Sequence, residues 1–445
     1  MESAHQLERQ APGLSARRTL SPDQRRLVLG LFKLLGVVTL LMPDLPGLVA
    51  MLVLPPLFLA IILFRLFLLA VALRAGREDL PENSAATPLL PVYSILVALK
   101  DEAAVVPQLA KAMAALEYPQ DRIDLKLLVE EADVLTQAAV RKQSWPNGAE
   151  LVVIPPGRPQ TKPRALNYGL ARARGTYVVV YDAEDRPHPA QLKAAVRAFN
   201  AHGSELACVQ APLVGSPARG GWLARQWALE YAIQFSLLVP ALAWLGLPVA
   251  LGGTSNHFRR TSLVAAGGWD AWNVTEDADL GLRLARLGYL VGAIHSPTLE
   301  APPEQGSVWL AQRSRWLKGY MQTWCVLMRG DSEIPGLKPG AFLSVQMTLG
   351  AAILSAMVHG PWALWCLTCL LFPGASLGPF GLSALCLSLF TGVLSAGLAP
   401  GRWSWQRVAD ILTLPLYWPL QTLAMGRALW SLARTPHYWA KTPHI

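Results

Sequence analysis

Apolar runs at both ends of the chain enclose a long polar middle, and this constrains the fold more than any motif. Residues 48–73 are apolar except for Arg65, ample for the about 20 residues that a membrane-spanning helix needs. Residues 27–42 are apolar except for Lys33 and Thr39, and Pro43-Asp44-Leu45-Pro46-Gly47 separates the two runs. Together they predict a helical hairpin over 27–77, preceded by a polar tail, 1–26. Further candidate spans lie at 342–357, 362–372, 382–398 and 411–425, within a C-terminal part over 339–445. The second of these is too short to span alone and reads as re-entrant. Only 16% of the residues are charged, against about 25% in soluble domains.

Charge placement gives orientation. Arg25 and Arg26 precede the hairpin, Arg74 and Arg77 follow it, and its turn carries no basic residue. The positive-inside rule then puts both ends in the cytoplasm. Arg402 and Arg407 fall between the last two candidate spans. A plain count puts that loop outside, against the rule, so the total stays open at five or six spans. The apolar stretches run too long for the core of a cleavable signal. The net charge of +9 suits a neighbour of an anionic leaflet or a protein that handles a nucleotide diphosphate. The basic residues are dispersed and form no nucleic-acid motif, so no nucleic-acid partner is expected. The five cysteines imply no disulfide framework, and Cys366-x-x-Cys369 sits in an apolar run where Cys packs as a small hydrophobe.

The middle, 78–338, reads as alternating strands and helices. Strands are expected at 93–99, 125–129, 151–154 and 176–181, with helices at 107–116 and 164–174 between them. Such alternation argues a parallel α/β sheet with crossover helices, whose ligands bind beyond the carboxyl ends of the strands. Glu130-Glu131 and Asp182 stand at such ends. Segment 221–247, rich in Trp, Leu and Ala but broken by Arg225, Gln226 and Glu230, fits either a buried core helix or a helix lying in the membrane surface. The same choice holds for 316–327.

The chemistry sits in an ordered series: Tyr93-Ser94-Ile95-Leu96-Val97 with Lys100, Asp101 and Glu102; Glu130-Glu131; Lys162-Pro163-Arg164-Ala165-Leu166-Asn167; Asp182-Ala183-Glu184-Asp185; Thr275-Glu276-Asp277; and Gln312-Arg313-Ser314-Arg315-Trp316. Two carboxylates flanking one residue after a strand can hold a divalent cation on a diphosphate. A later Asp can act as a base. An Arg pair suits phosphates, and a Trp face suits a sugar. Thr275 also fits the cap of a helix running to about Arg286, with Glu276 and Asp277 at its positive end.

In this order the motifs resemble the membrane-embedded family 2 glycosyltransferases of the cellulose synthase-like type, over roughly residues 91–325. The resemblance implies a GT-A type, Rossmann-like nucleotide-sugar domain inserted between transmembrane helices. It implies that Lys100, Glu102, Glu130, Glu131, Lys162, Asp182, Gln312, Arg313 and Arg315 bind a UDP-sugar. Asp182 and Glu184 would hold Mg2+ or Mn2+, Asp277 with Glu276 would provide the base, and Trp316 with Gln312 would meet the acceptor. Glu130-Glu131 stands where the family has two Asp, and Glu184 also replaces an Asp. Trp439, Lys441 and Thr442 echo a gating segment that closes over nucleotide; a Trp/Tyr membrane anchor followed by a Lys fits them equally.

The expectation is a multi-pass protein of the inner (plasma) membrane with a cytoplasmic catalytic domain. Its leading activity is inverting, processive β-glycan synthesis with export. A glycan or lipid-linked acceptor, membrane lipids and envelope export proteins are the expected partners. Single transfer to a lipid is the enzymatic rival. An inactive transferase fold serving as a membrane binding module, or a transporter-like scaffold, are the others.

Overall fold

The computed structural model describes residues 6–75, 90–146, 148–215, 220–329 and 336–439. Arg77, Lys441 and Thr442 lie outside them.

Ten strands form two sheets: β1 (Tyr93–Leu99), β2 (Ile123–Glu130), β3 (Glu150–Ile154), β4 (Tyr177–Tyr181), β5 (Arg186–Pro187), β6 (Leu206–Gln210), β7 (Leu213–Gly215), β8 (Asn256–Arg259), β9 (Leu290–Ala293) and β10 (Thr298–Glu300). The large sheet has the order β3-β2-β1-β4-β8-β6-β9. Neighbours among β1 to β4 are parallel, as the alternating pattern predicts. The expectation of a wholly parallel sheet needs correcting at β8, which runs antiparallel to both β4 and β6. Only Phe258 is strongly apolar in β8, so hydropathy does not reveal it. Polar bonds hold it instead, such as His257 Nδ1 to the Tyr93 hydroxyl at 2.7 Å.

Both faces of the sheet are covered. Leu96, Leu128, Val178 and Val180 belong to one apolar cluster, and Ile95, Val97, Leu127 and Val179 to the other. Side chains alternate between faces along a strand, so near-continuous Val/Leu/Ile runs are what a sheet buried on both sides requires. The parallel strands share one carboxyl edge, which brings Lys100, Glu130 and Asp182 together. The small sheet, β5-β10-β7, lies beside that edge.

Segment 221–247 folds as helix Trp222–Ile233, a wider turn at Gln234–Leu238 and helix Val239–Trp244. Trp227, Leu229, Tyr231, Leu237, Val239 and Leu242 are buried, so the core reading holds. The polar tail is not free. Leu7, Leu14 and Ala16 are buried, the Ser15 hydroxyl and the Ala16 N–H both donate to Asp270, and Arg329 donates to the carbonyls of Gly13 and Ser15.

Among the described residues, three helices are long and apolar enough to cross a membrane: Leu45–Ala75, Pro339–Leu371 and Gly378–Leu398. The other expected candidates fold as follows. The first hairpin arm is helix Pro22–Leu41, which carries Asp23, Arg25, Arg26 and Lys33. The candidates 342–357 and 362–372 are parts of one helical run through Pro361. Proline removes a helical hydrogen bond and kinks a helix. Here the Gly360 N–H beside it donates to the Thr422 hydroxyl at 2.8 Å, which satisfies the disturbed backbone. Candidate 411–425 is broken at Thr413 and Pro419 into helices Trp405–Leu412, Leu414–Tyr417 and Leu420–Arg434. The short helices pack back on the α/β domain: Asp410 pairs with Arg225 at 3.0 Å, and Thr413 accepts from Trp222 at 2.8 Å.

Candidate active site

Four carboxylates meet beyond the edge of β4. Asp182 follows the strand directly, Glu184 and Asp185 fill the turn into β5, and Glu300 ends β10. Asp185 is fully buried. Its Oδ2 accepts from the Asp182 N–H at 2.7 Å and from the Thr254 hydroxyl. Among the described residues, Asp185 Oδ1 and Glu300 Oε2 have no hydrogen-bond partner. Burial, then the charge of Asp182, pushes Asp185 up to about 7. Burial followed by Asp182 and Asp185 raises Glu184 well above the carboxylate range. Glu300 is raised by burial, Asp185 and Asp182.

Lys162 is the cation in direct contact with this cluster among the described residues. Lys162 pairs with Asp182 and donates to the Gly253 carbonyl at 2.7 Å. Burial works against its charge, but Asp182 and Glu276 outweigh it and hold the lysine above its ordinary range. The charge of Arg315 reaches Glu300 as well, so two cations face the four carboxylates. The donors are all hard oxygens, the set that Mg2+ or Mn2+ takes together with phosphate oxygens. No three described His, Cys, Asp or Glu form a group that could hold a metal ion by themselves. The donor chemistry fits the expected metal.

Facing this corner is the first turn of helix Glu276–Arg286, which has the expected extent, although the Thr275 side chain makes no capping hydrogen bond. Its positive end favours the carboxylates there. Burial, then neighbouring Asp277, pushes Glu276 up to about 7. Burial also raises Asp277, against Lys162 and Arg315. The long helix Gly306–Leu327 fixes this loop: Thr323 accepts from Asn273 at 2.9 Å, and Gln322 accepts from the Val274 N–H at 3.1 Å. A side chain at Gly319 would run into Thr275, so the helix approaches the base loop as closely as glycine permits.

The same helix carries the aromatic-basic box, and its members divide the work. Gln312 accepts from the Trp227 indole at 3.0 Å. Arg313 is committed to Glu230, which also accepts from the Tyr417 hydroxyl at 2.9 Å. Arg315 faces the base loop and lies 5.3 Å from the centre of the Trp439 ring. Trp316 stacks on Tyr231 at 5.9 Å, with Arg313 4.6 Å from its ring.

A cavity of about 510 Å³ joins these groups. Lys100, Glu102, Glu130, Lys162, Asp182, Glu184, Glu276, Asp277, Gln312, Arg313, Arg315, Trp316 and Trp439 all line it. Glu131 does not: it is exposed, and its N–H donates to the Ile154 carbonyl. Glu130 accepts from Arg164 at 3.2 Å, so that acid is positioned by the helix after Lys162. Sequence reasoning missed Glu300, which belongs to no motif, and treated Glu230 only as a break in an apolar segment. A carboxylate inside an apolar run was the available signal for Glu230.

Comparison with known proteins agrees with this geometry. The profile described as "Glycosyl transferase family group 2" matches residues 177–429. A probable glycosyltransferase, YdaM of Bacillus subtilis, is 31% identical over 52% of this chain, and the match spans 55% of that protein. The beta-monoglucosyldiacylglycerol synthase of Synechocystis is 27% identical over 76% of this chain and 71% of its own. Putative cellulose synthase 2 of Komagataeibacter xylinus is 24% identical over 78% of this chain but only 22% of its own. The chain thus spans about half the length of the first of these relatives. Among solved structures, mannosyltransferase PcManGT from Pyrobaculum calidifontis, in complex with GDP-Man and Mn2+, superposes with a TM-score of 0.54 at 18% identity, over 86% of this chain and 99% of that one. The fold is of the GT-A type, and the matched residues run from β4 through the base loop and the aromatic-basic box into the C-terminal helices: the chain belongs to glycosyl transferase family group 2.

Proposed function

We propose that this protein is an inverting glycosyltransferase that moves one sugar from a nucleoside-diphosphate sugar to a hydroxyl of a membrane lipid. UDP-sugar is the expected donor. The observation that carries this reading is the reach of the cavity. It is lined at one end by Asp182 and Asp277 and at the other by Phe64, Leu68, Leu349 and Ala356, which lie on the apolar helices. A lipid headgroup fits a site that is polar at the chemistry and apolar beyond it. So few long apolar helices among the described residues favour a lipid acceptor over an enclosed polymer path.

The charge pattern suits four crossings: the tail docks on the α/β domain through Asp270, so Pro22–Leu41 leaves the cytoplasm and Leu45–Ala75 returns to it. The chain leaves the cytoplasm in Pro339–Leu371 and returns in Gly378–Leu398, so Arg402 and Arg407 fall on the cytoplasmic side, as the positive-inside rule asks. Asp410 then meets Arg225 of the α/β domain on that same side.

The residues supply a complete transfer. Lys162 and Arg315 offer positive charge to the diphosphate. Mg2+ or Mn2+, held by Asp182 and Glu184 with Asp185 and Glu300 close by, would neutralise charge on the departing nucleoside diphosphate. The lipid hydroxyl attacks the anomeric carbon from the opposite face, and Asp277 takes its proton. The bond from the anomeric carbon to the phosphate oxygen breaks, and its electron pair leaves with the diphosphate. Trp316 lines the passage between donor and lipid.

The polymer reading retains one supporting observation: Trp316 lines the cavity, an aromatic face on which a growing chain end could stack. Product size separates the two. With purified protein in vesicles, a lipid bearing a single sugar at every donor excess is expected. A ladder or long polymer would reject single transfer and restore processive synthesis.

A further inference from the structure

We propose that Arg65 selects an acceptor lipid that carries a phosphate as well as a free hydroxyl, binding the anionic oxygens where the cavity meets the headgroup layer. This rests on the lipid-acceptor reading above and names the acceptor class. Arg65 lies in helix Leu45–Ala75, whose first twenty residues, 45–64, carry no charge. Twenty residues at 1.5 Å each span about 30 Å, the thickness of the hydrocarbon core. Arg65 is the next residue, so it stands at the level of lipid phosphates on the side of the α/β domain.

Depth alone would let an arginine bind any surrounding lipid. This one instead lines the cavity that also holds Asp182 and Asp277, so a molecule inside the cavity meets it. Among the described residues it is in no ion pair, although the charge of Glu230 reaches it. Arg65 Nε donates to the Ser395 hydroxyl at 3.4 Å. Glu230, on the same cavity, is taken by Arg313 and the Tyr417 hydroxyl. A guanidinium beside apolar walls favours an anionic partner, and its planar fork matches phosphate with two parallel hydrogen bonds. His359, from helix Pro339–Leu371, lines the same cavity, and its buried Nδ1 has no partner among the described residues. A neutral lipid would leave the arginine's charge unpaired. A phospholipid with a hydroxylated headgroup answers it and offers the attacking oxygen a short distance away.

The experiment uses the purified full chain in phosphatidylcholine vesicles doped with phosphatidylglycerol or with diacylglycerol. Glycerol phosphate in solution is a third acceptor. Sugar transfer is measured for each. Native protein is expected to favour phosphatidylglycerol over diacylglycerol by about 10-fold in kcat/KM, the scale of a hydrogen bond to a charged group. Arg65→Gln should collapse that ratio to about one through the KM for phosphatidylglycerol, and Arg65→Lys should keep part of it. An arginine that merely holds helices together would lower transfer to both lipids and leave the ratio intact, which overturns the proposal. So does equal use of both lipids by the native protein, though single transfer to lipid would then stand. Glycerol phosphate used as well as the lipid would overturn the lipid source. Polymer without any glycosylated lipid would remove both readings.

Discussion

Asp277→Asn lowers sugar transfer by about 10²–10⁴-fold, the usual cost of losing a general base, while donor binding stays close to native. Asp277 lines the donor cavity from the first turn of its helix, across from the Asp182 cluster. In the proposed mechanism its charge acts on the acceptor proton, whereas Lys162, Arg315 and the Asp182 corner answer the diphosphate. Substrate titration and single-turnover transfer distinguish these effects. Poor donor binding with normal turnover would show that Asp277 only caps its helix. The pH profile carries the same assignment. Burial raises Asp277 above the ordinary range of aspartate, and burial with neighbouring Asp277 brings Glu276 to about 7. The base works when deprotonated, so activity falls as pH drops. That acid limb should lie above the range of an exposed aspartate and vanish from the residual rate of Asp277→Asn.

The second large effect is expected at the metal corner. Asp182→Asn should cut nucleoside-diphosphate release by about 10³-fold or more, since stabilising the leaving group is worth several kcal/mol at about 1.4 kcal/mol per tenfold. EDTA should reproduce the loss, and added Mg2+ or Mn2+ should restore it. Folding should survive, because Asp182 follows its strand at the cavity edge and contributes nothing to the apolar clusters of the sheet. Full activity in EDTA would contradict the metal assignment and leave Lys162 as the counter-charge.

Much of this site was legible in the sequence, for a physical reason. Parallel strands deliver their carboxyl ends to one edge, so Glu130 and Asp182, placed at strand ends by apolar runs, had to converge. The helix at Glu276–Arg286 announced itself by its acidic first turn. Long-range partnerships were not legible. Arg313 reads as a phosphate ligand by its place in the box, yet Glu230, 83 residues away, claims it. Glu300 enters through β10, three residues paired with β5 and β7, a strand too short for any hydropathy signal. Apolar runs gave helices but not spans. Candidates 342–357 and 362–372 join in one helical run through Pro361, where the Gly360 N–H donates to the Thr422 hydroxyl of a distant helix. Segment 411–425 shows the reverse: Ile411, Leu414 and Tyr417 join the core cluster of the α/β domain, beside the Asp410–Arg225 pair.

The central claim is that the Asp182 corner and Asp277 form a working nucleotide-sugar site facing a membrane acceptor, rather than a relic kept for binding. The direct measurement is nucleoside-diphosphate release by the purified chain in lipid vesicles, across a panel of nucleotide-sugars with Mg2+ or Mn2+. The label of the transferred sugar is followed in parallel. Release from at least one donor, matched by label in the lipid fraction and lost in Asp277→Asn, is the predicted result. No release from any donor by protein that is folded and membrane-inserted would contradict the account and leave a transferase fold that only binds.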